Sequence, residues 1–385
     1  MRVVVTGGGT GGHIYPGLAI DTALREDCAL RGEEYASVFF GTSRGLESTL
    51  VTKAGMPLEL IPSRPLRRKL SGDTLATVVA NAAGIAFASK ALALFRPDIV
   101  ISSGGYVAFP VVAAARALRT ARRIQSSLAL LEENALPGLT NRLLAPFVDE
   151  VWTATWTSPA AFRRKAVVTG IPVRREFKVL PPRPRARERL EIDPHATVIV
   201  VLGGSQGARS INDATLDMVT QRALPPSWWI LHICGERDYE AMQARLREKK
   251  AGNRFTLVPY LDDPSPAYAA ADLVVARAGA STLAELAYTA RASLLIPFPF
   301  ASEDHQAANA RVFADSGAAR VLHDAELGPD VLYWALTEAL EPETLAAMSK
   351  CASALAPADA AAMIVRRVRN WREGRRTRAA EGRIP

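Results

Sequence analysis

Residues 2–6, Arg-Val-Val-Val-Thr, are a short run rich in β-branched side chains that empties into Gly7-Gly8-Gly9-Thr10-Gly11-Gly12-His13. An amphipathic helix pattern follows, beyond Ile14-Tyr15-Pro16-Gly17. A buried parallel strand that ends in glycines and feeds a helix N-terminus is a seat for a polar or anionic group, because backbone without Cβ atoms turns tightly and lets a ligand reach its N–H groups. The design recurs at residues 197–202, Thr-Val-Ile-Val-Val-Leu, which run into Gly203-Gly204-Ser205-Gln206-Gly207-Ala208. Two such heads, each leading an alternation of strands and helices, predict an α/β chain of two Rossmann-like, doubly wound domains facing a central cleft. A length of 385 residues is also long for a single core.

Further strands are expected at Tyr35–Phe40, Asp98–Ser103, Ser127–Leu131, Trp228–Ile233, Thr256–Val258, Leu273–Arg277 and Ser293–Ile296. The two halves meet between Val167 and Pro194, where Pro181–Arg189 is dense in Pro and Arg. The expected division is a first domain over 1–166, a second over 167–355, and residues 356–385 as a helix returning to the first domain plus a basic tail.

Gly7, Gly9 and Gly12 match the GxGxxG of a dinucleotide fold, but that fold wants an acidic residue about twenty positions on to hold the ribose. The second strand here runs out in Gly41-Thr42. A nicotinamide enzyme is therefore weakly supported. In the second half, Ala278-Gly279-Ala280-Ser281-Thr282 presents N–H groups and two hydroxyls at a helix start, which suits phosphate. Thr282 and Glu285 also match a capping box, a purely local role.

The net charge of +8 is concentrated at the end: from Ile364 onward eight Arg stand against Glu373 and Glu381. Such a tail is either drawn to anionic lipid or simply solvated and frayed. No aromatic-interleaved motif accompanies it, so nucleic acid is not expected as a partner. Three scattered cysteines make no zinc spacing and favour a reducing compartment, and the immediate opening strand leaves no room for a signal peptide. Arg64–Lys69 is a basic stretch before an apolar helical pattern over Thr74–Phe95. Its charge-free part, Thr74–Ser89, is too short to span a bilayer. It either lies on a membrane surface or packs on the sheet beside an exposed basic loop.

His13 is the best general-base candidate, since it sits at a glycine loop and is one of five histidines. Imidazole has a suitable ordinary pKa of about 6.5. The alternative is a structural histidine capping the loop. No DxD triplet stands near Gly203–Ala208 or Arg277–Thr282, so no obligatory metal or other cofactor is expected.

GGGTGGH at the start, the GGY turn at Gly104–Tyr106, Glu133-Asn134 with PGLTNR ending at Arg142, GIPVR at Gly170–Arg174, GGSQGA at Gly203–Ala208, RAGAST at Arg277–Thr282 and DHQAAN at Asp304–Asn309 occur together in one order. Over residues 1 to about 350 the chain resembles the MurG family of peptidoglycan N-acetylglucosaminyltransferases. The resemblance implies a GT-B glycosyltransferase moving N-acetylglucosamine from UDP-GlcNAc to the C4 hydroxyl of the muramyl sugar of lipid I, a polyprenyl-pyrophosphate substrate, to give lipid II. It implies a peripheral enzyme on the cytoplasmic face of the plasma (inner) membrane, working with an anionic membrane surface and cell-wall synthesis proteins, with roles in cell shape and division.

Carried over by position, Arg174, Ser205 and Gln206 lie near the donor diphosphate, Leu261 borders the uracil, Ser281 and Thr282 meet phosphate, Glu285 the ribose, and His305 and Gln306 the sugar. The acceptor side comprises Thr10, Gly11, Gly12, Gly104, Gly105, Tyr106, Glu132 and Asn134, with His13 as the catalytic base. Where the family shows His-Glu-Gln-Asn, this chain has Leu131-Glu132-Glu133-Asn134. An imidazole is lost and a negative charge gained. That departure is compatible with an altered acceptor, or with a non-catalytic nucleotide-sugar-binding scaffold at the membrane.

Overall fold

Alternate side chains of the opening strand enter two separate cores, as the two-residue period of extended chain requires. Val3 and Val5 pack with Ile14, Ile20 and Leu24 of the helix Gly11–Leu30, while Val4 packs with Val111 and Ala115 of the helix Ala108–Thr120. The computed structural model that gives these contacts describes all residues except 10, 44, 66–73, 205, 206, 250, 251, 253, 358 and 381–385. The chain forms two units, Met1–Arg174 with Pro357–Pro385, and Arg175–Ala356.

The first unit is built on seven strands: β1 (Arg2–Thr6), β2 (Ala36–Gly41), β3 (Leu58–Leu60), β4 (Ile99–Ser102), β5 (Ser127–Glu132), β6 (Glu150–Thr153) and β7 (Ala166–Val168). They lie in the order β3-β2-β1-β4-β5-β6-β7, and every pairing is parallel. The second unit has β8 (Thr197–Leu202), β9 (Trp228–Ile233), β10 (Phe255–Val258), β11 (Leu273–Ala276), β12 (Ala292–Leu295) and β13 (Ala319–Val321). Their order is β10-β9-β8-β11-β12-β13, again all parallel. Both sheets are doubly wound, as the two glycine heads predict. The short strands β3, β6 and β13 escape sequence reading because three or four residues carry too little period to stand out. The boundary expected at 166 moves to 174, since β7 completes the first sheet through Val151↔Ala166 and Thr153↔Val168.

The arginine-rich end is not a frayed tail over its described part. The helix Ala360–Ala380 buries Ile364 and Val368 in the core that holds Val3 and Trp152, and Trp371 stacks on Trp152 with ring centres 5.9 Å apart. Arg367 pairs with Glu150, Arg369 with Asp27 at 2.5 Å and Glu33 at 2.7 Å, and Arg372 with Glu33 at 2.5 Å. Three of the eight arginines are thus anchors within the first unit. Hydrogen bonds from Arg369 and Arg372 pull the Glu33 carboxyl down to about 2. A depressed folded-state pKa contributes stability above the unfolded value of about 4.3, and that contribution fades as pH falls from there toward 2. Arg369→Ala is therefore expected to lower the melting temperature clearly at pH 7 and by a smaller margin at pH 3. Equal margins at the two pH values would contradict the assignment.

The helix Thr74–Phe95 runs unbroken for 22 residues with Lys90 as its one charge, so by length and composition it is sufficient to cross a membrane. This corrects the shorter count, which stopped ahead of Lys90. Its apolar residues also point the unexpected way. The buried stripe is Thr77, Asn81, Gly84, Ala88 and Leu92, while Leu75, Val78, Val79 and Phe87 are exposed. Small residues let the helix approach closely: a Cβ on Gly84 would lie 2.1 Å from the Pro62 carbonyl oxygen. Asn81 fastens the same side, accepting from Ser63 Oγ at 2.9 Å and donating to the Arg64 carbonyl at 3.0 Å. Of the basic stretch, residues 66–69 lie outside the described residues.

Candidate active site

In each unit the chain winds outward from its first strand and then crosses back to that strand's other side. At such a switch point the loops leave the carboxyl ends of neighbouring strands in opposite directions and open a crevice. The switch lies between β1 and β4 in the first unit and between β8 and β11 in the second. The four loops there are the glycine loop after Thr6, the GGY turn after Ser102, the glycine loop after Leu202 and the RAGAST segment after Ala276.

In the first unit the helix begins at Gly11, earlier than the sequence pattern suggests, so His13 sits in its first turn and Gly11 and Gly12 form its N-terminus. Pro16 is the sixth residue of this helix and removes the N–H that would otherwise reach the Gly12 carbonyl. His13 Nδ1 lies 3.0 Å from the Ser103 carbonyl oxygen. A carbonyl only accepts, so the neutral ring carries its proton on Nδ1 and its lone pair on Nε2. Ser103 Oγ donates back to the His13 carbonyl at 2.5 Å. Gly104 and Gly105 have φ of +104° and +82°. A Cβ on Gly104 would stand 2.7 Å from His13 Nδ1, and one on Gly105 would stand 2.3 Å from the Gly8 carbonyl oxygen. The two glycines thus let the GGY turn close on the histidine and its loop.

Two supports of this loop are invisible in the sequence. Glu47 is fully buried, and its Oε1 accepts from the Gly9 N–H at 3.1 Å. Thr42 Oγ1, at the end of β2, lies 3.1 Å from Tyr106 Oη and 3.4 Å from Glu47 Oε1. The place where a dinucleotide fold would carry its ribose acid instead braces Tyr106 and the glycine loop.

Glu132, expected on the acceptor side, has both carboxylate oxygens engaged. Oε1 accepts from the Asn134 N–H at 3.0 Å, and Oε2 from the Gly138 N–H at 3.0 Å and Asn141 Nδ2 at 2.9 Å. Burial raises its pKa against these hydrogen bonds, which favour the anion. These bonds shape the loop that carries Glu133 and Asn134. Leu131, the position of the lost imidazole, is core, packed in the face that holds Ile14 and Trp152. Arg174 closes the first unit, its guanidinium 4.5 Å from the centre of the Tyr15 ring. Thr10 lies outside the described residues.

In the second unit, the helix Ala280–Tyr288 starts from Gly279 with no side-chain cap, so Ser281 and Thr282 occupy its first turn. The capping-box reading of Thr282 and Glu285 fails, because the helix begins three residues before Thr282 would have to cap it. Glu285 Oε2 instead accepts from Tyr268 Oη at 2.8 Å, and Tyr268 is itself buried edge-on against Phe177. Asn309, fully buried, donates to the Ala278 carbonyl at 3.1 Å and ties the helix His305–Asp315 to the RAGAST loop. Arg277 reaches the Ile296 and Pro297 carbonyls and Asp324, fixing the same loop from below. His305 opens its helix, and Gln306 Oε1 accepts from the Phe298 N–H at 3.0 Å. Leu261 is half-buried in the loop after β10. Ser205 and Gln206 lie outside the described residues. Ser281, Thr282 and Glu285 thus lie on the helix after β11 and His305 and Gln306 on the helix after β12, with Asn309 tying the second helix to the loop that leads into the first.

Tyr268 is a residue that sequence reasoning missed, since a tyrosine seventeen positions before its partner has no local signal. Tyr268→Phe removes the hydroxyl that donates to Glu285 and leaves the ring packing in place. An increase in donor KM of about five- to tenfold with little change in kcat is expected, from one hydrogen bond to a charged group. An unaltered KM would refute that role.

Two doubly wound units with glycine-loop crevices at both switch points are the fold elements of the GT-B class. The crystal structure of Acinetobacter baumannii MurG superposes with a TM-score of 0.72 at 28% identity, covering 96% of this chain and 99% of that one. The calicheamicin glycosyltransferase CalG4 shares the fold at a TM-score of 0.64 and 15% identity, over 96% of this chain and 98% of its own. The family models for the glycosyltransferase family 28 N-terminal and C-terminal domains match residues 3–153 and 198–364. A Moorella thermoacetica relative is 41% identical over 92% of this chain and 95% of its own length, and one from Desulforudis audaxviator is 38% identical over 92% and 94%. Both are UDP-N-acetylglucosamine–N-acetylmuramyl-(pentapeptide) pyrophosphoryl-undecaprenol N-acetylglucosamine transferases. The chain belongs to glycosyltransferase family 28 and, within it, to the MurG family of N-acetylglucosamine transferases. A nicotinamide enzyme is thereby set aside.

Proposed function

We propose that this chain transfers N-acetylglucosamine from UDP-GlcNAc to the C4 hydroxyl of the muramyl sugar of undecaprenyl-pyrophosphoryl-MurNAc-pentapeptide, lipid I, giving lipid II for peptidoglycan synthesis. The observation that carries this is the shared activity of relatives 38–41% identical across nine-tenths of the chain. The acceptor oxygen attacks C1 of the sugar from the face opposite the diphosphate, the C1–O bond to phosphate breaks, and the product is inverted. His13 Nε2 takes the hydroxyl proton, a role supported by the Nδ1 contact to the Ser103 carbonyl that leaves the other nitrogen basic.

On the donor side, Ser281 and Thr282 with the N-terminus of their helix receive the phosphates, Glu285 the ribose hydroxyls, Leu261 the uracil, and His305 and Gln306 the sugar. Oriented N–H groups stabilise the departing UDP. No obligatory metal is needed in this scheme. The enzyme works peripherally on the cytoplasmic face of the membrane, a reading supported by the exposed Leu75, Val78, Val79 and Phe87 on a helix that follows a basic stretch. Its partners there are cell-wall synthesis proteins, in growth and division.

UDP release from UDP-GlcNAc, measured with and without a short-chain lipid I analogue, tests the proposal. Release that depends on the acceptor and survives chelation by EDTA is expected, and the protein should co-sediment with vesicles containing anionic lipid. A folded preparation that binds UDP but never turns over with lipid I would make the scaffold reading the better one.

A further inference from the structure

Glu133 is buried to 2% exposure, and its Oε1 has no hydrogen-bond partner among the described residues. Leaving a buried carboxyl oxygen unsatisfied is costly, so an arrangement that keeps one calls for a reason. The other oxygen, Oε2, lies 3.8 Å from His13 Nδ1. The backbone holds this geometry: Trp156 Nε1 donates to the Glu133 carbonyl at 2.9 Å and Thr157 Oγ1 to the Asn134 carbonyl at 2.8 Å, while Glu132 fixes the turn that follows. The charged groups bearing on Glu133 among the described residues are His13, on the helix Gly11–Leu30, and Glu132, its neighbour on β5.

We infer that Glu133 is a positioning residue that raises the proton affinity of His13, so that the two groups titrate as a pair. The inference rests on His13 being the base of the transfer reaction. Burial and the adjacent Glu132 push the Glu133 carboxyl well above the ordinary carboxylate range. Positive charge on His13 acts in the opposite sense and favours the anion. Whatever the balance between the two forms, the imidazole is easier to protonate beside a group able to become an anion than beside an amide. The proton removed from the acceptor hydroxyl therefore finds a better base. The consequence is a less favourable acid side of the pH profile, where His13 stays protonated to higher pH.

Glu133→Gln keeps shape and burial and removes the ionisation. In acceptor-dependent UDP release, its acid limb of kcat/KM is expected to lie about one pH unit or more below that of the unaltered protein, with a several-fold lower plateau. An acid limb and plateau both unchanged would overturn the proposal. Should the variant fail to fold, the His13 imidazole can be titrated by NMR in the unaltered protein: a midpoint above the ordinary value of about 6.5 supports the pairing, and one below it overturns it. His13→Ala separates the two layers. Full turnover in that variant removes His13 as the base and the inference with it, whereas an inactive His13→Ala beside an unmoved Glu133→Gln profile sinks the role of Glu133 alone.

Discussion

A His13→Ala protein is expected to lose acceptor-dependent turnover by about 10²- to 10⁴-fold, the range that a positioned general base contributes. Binding of UDP should be unaffected, because Ser281, Thr282, Glu285 and Leu261, proposed to hold the nucleotide, belong to the other unit, Arg175–Ala356. The histidine is held from two sides, by the Nδ1 contact to the Ser103 carbonyl and by Ser103 Oγ on its own carbonyl. The second of these survives the substitution, since it uses only the backbone carbonyl of residue 13. The helix start should therefore persist, and the loss should fall in kcat more than in acceptor KM. Retention of more than a tenth of the activity would mean that another group takes the proton and that His13 only caps its loop.

Gly104→Ala is the second large effect. The position has φ of +104°, where a side chain is strained, and the added Cβ would stand 2.7 Å from Nδ1 and 2.8 Å from Cε1 of His13. Either the turn or the ring must yield. The ring is the softer of the two, because the turn is pinned by the Ser103 N–H to the Thr6 carbonyl at 2.8 Å and by the close approach of Gly105 to Gly8. Displacement of a catalytic group by about 1 Å costs on the order of 10²-fold. A drop of that size in kcat with only a modest fall in melting temperature is the expected outcome. A variant with normal kcat would show that the imidazole has room to spare and that the GGY turn does not set its position.

Several parts of this site were legible before any coordinates. The glycine loops, the GGY turn, the Gly-Ala-Ser-Thr segment and the loop before His305 announce themselves because each requirement is local: glycine for positive φ or close approach, hydroxyls and N–H groups for anions. The supports were not legible. Glu47 under Gly9, Thr42 against Tyr106, Tyr268 on Glu285 and Asn309 on the Ala278 carbonyl are each made by residues 17 to 64 positions apart. No periodicity or motif rule joins residues so far apart in a single chain. The capping-box reading of Glu285 went astray for a related reason: helix starts are among the least certain features of a sequence, and a shift of three residues changes a cap into an interior position.

By itself the sequence determined the class of fold, since β-branched runs that end in glycines and alternate with helical patterns have few other solutions. It also determined the chemistry on offer, a histidine at one glycine loop and, in the other half, hydroxyls and N–H groups at a helix start. Only the tertiary structure decided that the arginine-rich end is anchored by Trp371 on Trp152 and by Arg369 on Asp27 and Glu33, that the helix Thr74–Phe95 turns its small residues inward and its larger apolar ones outward, and that Glu133 rests beside His13. The physical reason is common to all three. Charge and hydropathy are properties of residues, whereas partners are properties of packing, and these partners meet only once the sheet of the first unit has brought distant segments together.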